Sequence, residues 1–254
     1  MSGFYARIAR YYDSEHLDKT EDFDFYRELA EEYGAPVLII GAGTGRLLLD
    51  LAAAGFETHG IEIEAAMLER AQQKREQAPQ AVQGRSRLIA GDALTVALDG
   101  QYQVAAVPYN TLMHFHSQEA QIRLLQRCRA WIAPGGVLAI DLPNAGAAFA
   151  AQDTGAVVLE RMFLEQETGH LIMQQSVSEL DRAAQLMHVT WLYDEIGADG
   201  MVQRTVAPVV NRYFFYPELR LLLERAGFDQ IEVYGDLDRS PFVDGCPRMV
   251  VLAG

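Results

Sequence analysis

The chain has 254 residues, of which 50% are hydrophobic and 22% are charged, and this composition excludes disordered and collagen-like proteins. Lysine and arginine number 21 against 35 aspartates and glutamates, which gives a formal net charge of −14. Such a surface repels a phosphate backbone and an anionic membrane, so we expect neither a nucleic-acid partner nor a membrane partner.

The N-terminal sequence MSGFYARIARYYDSEH has neither the apolar segment nor the cleavage site of a secretory signal, so a cytoplasmic location is expected. The two cysteines, Cys128 and Cys246, lie far apart and match no metal-binding or redox spacing. No metal site is therefore predicted.

Two N-terminal helices are predicted, over Phe4–Tyr12 and Phe23–Tyr33. The acidic, polar segment Asp13–Asp22 joins them, and its charge makes it a poor core element. We interpret residues 1–34 as a helical lid over a site in the rest of the chain.

From Val37 to Asn144 short apolar runs alternate with helical patterns, which indicates a doubly wound α/β domain with a parallel sheet. The predicted strands are Val37–Ile40, Glu57–Glu62, Arg87–Ile89, Val104–Val107 and Val137–Asp141, and the predicted helices are Arg46–Ala54, Ala65–Arg75 and Glu119–Ile132.

After Asn144 the apolar residues recur with a period near two, which predicts an antiparallel β insertion over residues 151–215. Its strands are expected at Val157–Leu164, His170–Leu180, Ala184–Ile196 and Met201–Phe215, and the chain then returns through a helix at Pro217–Ala226 and strands at Gln230–Tyr234 and Arg248–Leu252. Residues 35–150 and 216–254 are therefore predicted to form one domain. The aromatic residues of the insertion are expected to wall a ligand pocket, to form a second small core or to form a dimer face.

The first strand of this domain runs into three alternating glycines, Gly41, Gly43 and Gly45, and then into a helix. Glycines there permit positive φ angles and close approach of a ligand, and the helix start is expected to present free N–H groups. The spacing is G-x-G-x-G and not the G-x-G-x-x-G of dinucleotide folds, because Arg46 occupies the sixth position. A pyrophosphate site is therefore disfavoured.

Two acidic residues follow the next strands. Glu62 lies about twenty residues beyond Gly41, where an acidic side chain accepts hydrogen bonds from ribose. Asp92, in Gly91-Asp92-Ala93, is placed either to accept from an exocyclic amine or to cap the turn at Leu94, and both interpretations stand at this point. An adenosine ligand is implied.

Four ordered motifs, Gly41–Gly45, Gly60-Ile61-Glu62, Gly91-Asp92-Ala93 and Pro134-Gly135-Gly136, resemble those of the class I S-adenosylmethionine-dependent methyltransferases. The resemblance implies a Rossmann-like seven-stranded sheet with the last strand antiparallel, and S-adenosyl-L-methionine as cofactor. Carried over by position, it implies that Gly41, Ala42 and Gly43 line the methionyl part, Glu62 binds ribose, Ile63 and Met67 flank adenine, and Asp92 and Ala93 contact the adenine edge.

One position departs from that family, which usually has an acidic residue where this chain has Ile39. The carboxylate expected near the methionyl ammonium is therefore missing. Carbonyls of the glycine turn, or the side chains of Asp13 or Glu15, are the hypothetical substitutes.

The loop after the fourth strand, Val107 to His116, lies at the edge where open α/β sheets bind ligands. It resembles, more distantly, the corresponding loop of amino-sugar and glycine-type N-methyltransferases, which implies that Pro108, Tyr109 and Asn110 face the cofactor's methyl group. His114 is the candidate general base, with a structural role as the alternative. His116 is the second candidate base, with capping of the helix that starts near Ser117 as its alternative role. Tyr12 resembles the aromatic residue that closes over the cofactor.

These observations predict methyl transfer from S-adenosylmethionine to a small molecule, with N-methylation slightly favoured over O-methylation. The alternatives are a nicotinamide-dependent oxidoreductase, a non-catalytic S-adenosylmethionine-binding protein, and a methyltransferase acting on a protein with a basic face. A homodimer through the β insertion is a further expectation.

Overall fold

The computed structural model describes residues 3–146 and 155–254. Their strands form two sheets, one of seven strands and one of four. The predicted boundary between residues 150 and 151 lies outside the described residues, and the division into domains stays a prediction.

The seven-stranded sheet has the order β10-β11-β5-β4-β1-β2-β3. All its neighbouring strands are parallel except β11, which is antiparallel to both β5 and β10. This arrangement confirms the expected Rossmann-like sheet with an antiparallel last strand. The strands are β1 Val37–Ile40, β2 Thr58–Glu62, β3 Ser86–Ala90, β4 Tyr102–Val107, β5 Ile132–Pro143, β10 Ile231–Tyr234 and β11 Arg248–Ala253.

Helices cover both faces of this sheet, because its central strands are apolar on both sides. In β1, Leu38 and Ile40 belong to the cluster beneath α6 and α7, whereas Val37 and Ile39 belong to the cluster beneath α2 and α3. The helices are α1 Phe4–Glu15, α2 Phe23–Tyr33, α3 Arg46–Ala54, α4 Ala65–Gln77, α5 Gln80–Arg85, α6 Gln118–Trp131 and α7 Tyr216–Ala226, with a 3₁₀ helix at Thr111–His114.

The four-stranded sheet is antiparallel and has the order β6-β7-β8-β9. Met187 and Val209 of this sheet share one apolar cluster with Leu112 and Met113 of the 3₁₀ helix, so the sheet packs beside the carboxyl end of β4. The strands are β6 Val158–Leu164, β7 Leu171–Asp181, β8 Leu186–Ile196 and β9 Val202–Arg212. Exposed apolar side chains along β6 fit the expected dimer face, and the dimer itself stays a prediction.

Three elements differ from the expectations. Helix α1 continues to Glu15, so Asp13 and Glu15 belong to a helix and not to the joining segment. Strand β5 begins at Ile132, which was expected to end a helix. Helix α5 has six residues and a single buried side chain, Val82, and a segment this short carries no recognisable amphipathic period.

Ion pairs and backbone contacts fasten the N-terminal lid to the sheet domain. Arg46 donates to both oxygens of Asp22, at 2.7 and 2.6 Å, and Asp22 is only 2% exposed. Arg70 of α4 donates to the carbonyl oxygens of Ala9 and Arg10 in the middle of α1. The lid is thereby part of the folded core. No helix within residues 3–146 and 155–254 is long and apolar enough to cross a membrane.

The close packing of Gly60 beneath the glycine turn leads to a prediction about stability. A Cβ atom on Gly60 would lie 2.6 Å from Leu48 Cδ1 and 2.7 Å from Ala42 Cβ, whereas one on Gly84 would meet nothing within 4 Å. We expect Gly60→Ala to lower the free energy of unfolding in urea by about 1–3 kcal/mol, because both neighbours must shift. The matched control Gly84→Ala should leave it unchanged or raise it by up to about 1 kcal/mol. Equal effects of the two substitutions would contradict this packing.

Candidate functional site

A cavity of about 510 Å³ opens at the carboxyl ends of β1, β2, β3 and β4. This is the edge at which open α/β sheets bind ligands. Every site residue proposed from the sequence lines it, namely Tyr12, Gly41, Ala42, Gly43, Glu62, Ile63, Met67, Asp92, Ala93, Pro108, Tyr109, Asn110 and His114. The structure therefore brings them together, while their individual roles stay predictions.

The glycine turn builds one wall of the cavity. Gly41 has a φ of +75°, and a Cβ there would lie 2.7 Å from Thr111 Oγ1. The amides of Gly41 and Ala42 both donate to the carbonyl of Ile61, and the amide of Gly45 donates to the carbonyl of Ala42. The amides of these turn residues are therefore not free, and the expectation that the helix start presents free N–H groups stays a prediction. Because these amides are committed within the protein, they are unavailable to cradle a pyrophosphate.

Glu62 joins the glycine turn to the end of β2. Its carboxylate accepts three backbone hydrogen bonds, from Gly43 at 2.7 Å, Ile63 at 2.9 Å and Glu64 at 2.8 Å. Burial raises the pKa of Glu62, and the three hydrogen bonds oppose that shift. A carboxylate has about four acceptor sites, so capacity remains for a ribose hydroxyl. A solvated strand end is excluded, because Glu62 is only 8% exposed.

The geometry of Asp92 is compatible with both interpretations that the sequence left open. Its Oδ1 accepts from the backbone N–H of Leu94 at 2.8 Å, which is the expected turn cap. Its Oδ2 has no hydrogen bond among the described residues, and Asp92 lines the cavity. That oxygen is available to an exocyclic amine.

Neither acidic side chain considered as a substitute for the missing acid at Ile39 lines this cavity. Asp13 accepts from the Thr44 hydroxyl at 2.6 Å and from Lys74 Nζ at 2.7 Å. Glu15 lines a second, neighbouring cavity. The side-chain form of that hypothesis therefore has no support in this structure.

The second cavity, of about 180 Å³, lies between α1 and the four-stranded sheet. It shares five lining residues with the first cavity, Tyr5, Tyr12, Tyr109, Asn110 and His114. Glu15 accepts there from Gln174 at 2.7 Å and from the Tyr193 hydroxyl at 2.9 Å. The sequence analysis missed Tyr5 as a site residue. The aromatic run near Tyr12 was its only local signal.

His114 stands where the two cavities meet. Its Nε2 and the Tyr5 hydroxyl are 2.8 Å apart, and burial lowers the pKa of His114 to about 4. The imidazole is therefore neutral at pH 7. The interpretation of His116 as a helix cap is wrong, because Ser117 caps α6 through the N–H of Ala120, while His116 contacts the carbonyl of Val210.

Comparisons with known proteins agree with this geometry. Residues 37–136 match a family model described as a methyltransferase domain. Over these residues the chain matches a methyltransferase domain, in agreement with the resemblance to class I methyltransferases that its motifs imply. This confirms the predicted enzyme class and S-adenosylmethionine as its cofactor, and the nicotinamide alternative is dropped.

Solved structures share the fold of this methyltransferase over almost its whole length. The CcbJ methyltransferase from Streptomyces caelestis is 23% identical, with a TM-score of 0.75 and 95% of both chains covered. An S-adenosylmethionine-dependent methyltransferase from Clostridium acetobutylicum is 13% identical, with a TM-score of 0.79 and 98% of both chains covered. CalS10 from Micromonospora echinaspora is 19% identical, with a TM-score of 0.69 and 96% of both chains covered. Identities this low establish the fold alone. No curated protein gives a significant match.

The burial of His114 leads to a prediction about its titration and about the pH dependence of stability. In an NMR titration of the ring protons, assigned with His114→Gln, we expect a midpoint near pH 4 and not near the usual 6.5. Between these two pH values the unfolded chain binds more protons at this residue than the folded chain does. This group therefore lowers the free energy of unfolding as the pH falls through that window. His114→Gln should lose less stability than the wild type between pH 7 and pH 5, and a midpoint at 6.5 would contradict the burial.

Proposed function

We propose that this methyltransferase N-methylates a small-molecule amine, with the cofactor in the first cavity and the acceptor in the second. The observation that carries the proposal is that both cavities share Tyr5, Tyr12, Tyr109, Asn110 and His114. An acceptor in the second cavity would meet the cofactor at these residues. The fold neighbours described as an amino pentose methyltransferase and a sugar N-methyltransferase give additional support.

The first cavity offers the groups that adenosine and a methionyl chain require. Glu62 would accept from ribose hydroxyls, and Asp92 Oδ2 would accept from the adenine amine. The apolar side chains of Ile63 and Met67 would flank the ring, and Ala93 would contact its edge. Ile63 is 45% exposed without a ligand, which suits a side chain that covers a bound ring. When bound, S-adenosylmethionine supplies a methyl group on a positively charged sulfur.

The second cavity favours an amine over a plain hydroxyl. The carboxylate of Glu15 is held by two neutral donors, Gln174 and Tyr193, and forms no salt bridge among the described residues. Arg161 also lines this cavity, but its Nη1 donates to the backbone carbonyl of Glu15 and not to the carboxylate. An oriented carboxylate that is not ion-paired attracts a cation, and a protonated amine is the cation of a methyl acceptor. The Oδ1 atom of Asn211, which also lines this cavity, is buried without a hydrogen bond and can accept from an N–H group.

The residues at the junction act mainly by positioning. Methyl transfer is an in-line displacement, so alignment and exclusion of water contribute more than stabilisation of a new charge. An amine must lose a proton before it attacks. We assign His114 as the group that accepts it, since its imidazole is neutral at pH 7 and is oriented by the Tyr5 hydroxyl. Its low pKa makes it a weak base, so we expect His114 to orient the amine more than to drive the loss of its proton.

A small-molecule acceptor, a homodimer through the four-stranded sheet and a cytoplasmic location are parts of this proposal. N-methylation stands ahead of O-methylation because of Glu15 and Asn211.

The test compares an amine and a hydroxyl acceptor of one shape, glucosamine and glucose, by release of S-adenosylhomocysteine. We expect turnover with glucosamine only. Glu15→Gln should lower kcat/KM for the amine by roughly 10- to 100-fold, since a hydrogen bond to a charged group is lost. The affinity for S-adenosylhomocysteine should not change.

Glu69→Gln, on the exposed face of α4, is the matched control and should leave kcat/KM unaltered. Turnover of glucose at the rate of glucosamine, or an unaffected Glu15→Gln variant, would overturn the amine assignment. Failure of the wild type to bind S-adenosylhomocysteine would overturn the cofactor site itself.

A further inference from the structure

The charged side chains of the cofactor cavity are divided between its two ends. Its acidic lining residues are Glu62 and Asp92, which follow β2 and β3. Its lysine and arginine are Lys19 and Arg46, beside the glycine turn. Ile39, the residue after Leu38 in β1, also lines the cavity, and its side chain carries no charge. The end expected to hold the methionyl part therefore carries positive charge and no carboxylate.

Arg46 is committed to the protein. It makes a two-pronged ion pair with the buried Asp22, and its Nη1 also donates to the carbonyl oxygen of Lys19 at 2.9 Å. Such a pair neutralises the guanidinium and fixes its orientation. The carbonyl contact also places Lys19 beside the first turn of α3.

The ammonium group of Lys19 is held by weaker ionic contacts than the guanidinium group of Arg46. Its side chain is 16% exposed, and its ion pair is with Glu21, at 3.1 Å, whose side chain is 53% exposed. An exposed partner of this kind contributes little. The Lys19 Nζ lies 3.7 Å from the ring centroid of Tyr109, whose φ of +56° is in the left-handed region that a tyrosine rarely adopts. The strained loop thus holds an aromatic ring against the ammonium group in the cavity wall.

The neighbouring acidic residue, Asp13, is already neutralised by an ion pair. Asp13 pairs with Lys74, the only other lysine of the chain, and does not line the cavity. An ammonium group at this end of the cavity would therefore meet no carboxylate among the described lining residues, whereas a carboxylate would meet Lys19.

We infer that this enzyme recognises the methionyl end of its cofactor through the carboxylate, held by Lys19, and makes no charged contact with the α-amino group. The inference rests on the assignment of the cofactor cavity. It has a consequence for selectivity: a cofactor analogue without the amino group is tolerated, and one without the carboxylate is rejected.

Calorimetry on the full chain tests this with S-adenosylhomocysteine, its deaminated analogue and its decarboxylated analogue. For the wild type we expect deamination to weaken binding less than about threefold and decarboxylation to weaken it roughly 10- to 100-fold. Lys19→Met should weaken binding of S-adenosylhomocysteine by the same factor and leave the decarboxylated analogue unaffected. Lys19→Arg should restore most of the affinity.

Arg123→Met, which removes an exposed cation from α6, is the control for a general change in charge and should have no effect. Weakening on deamination as large as on decarboxylation, or an unaltered Lys19→Met variant, would overturn the inference. If S-adenosylhomocysteine does not bind the wild type, the cofactor assignment fails instead, so the two failures are distinguishable.

Discussion

The carboxylate of Glu62 is the contact on which the site depends. It accepts from the amide of Gly43 in the turn after β1 and from the amides of Ile63 and Glu64 in the turn after β2. One side chain thus fixes two neighbouring turns and places a buried negative charge between them. The same contact explains why this turn suits adenosine better than pyrophosphate, because Gly43 donates to a carboxylate of the protein and not to a ligand anion.

The lid is the second constraint, because helix α1 forms a wall of both cavities. Tyr5 and Tyr12 face each cavity, and Tyr11 stacks on Tyr193 of the four-stranded sheet with ring centroids 5.1 Å apart. Helix α1 is therefore held from one side by α4 and from the other by the four-stranded sheet. Such a wall keeps water from the junction at which a methyl group would be transferred.

Much of the cofactor site was predictable because its signals are local. The glycine turn, Glu62 and Asp92 each follow a strand, and parallel strands bring their carboxyl ends to one edge of the sheet. The whole set of proposed residues lines one cavity for this reason. The hydrogen bonds that the turn amides donate within the protein were not predictable, since they depend on the carbonyl of Ile61 in the neighbouring strand.

The second cavity could not be predicted from the sequence, and the reason is physical. It is made by contacts between segments far apart in the chain, such as Tyr5 with His114 and Glu15 with Tyr193. Alternation of residues predicted the strands of the insertion, but it does not say which face packs against the lid. The pKa of His114 likewise follows from its burial, which no motif encodes.

The most direct test of the account is a crystal structure of the full chain with S-adenosylhomocysteine bound. We predict adenine between Ile63 and Met67, the ribose hydroxyls on Glu62, and the sulfur facing the junction formed by Tyr5 and His114. Adenosine bound at any other place, or a sulfur directed away from the second cavity, would contradict it.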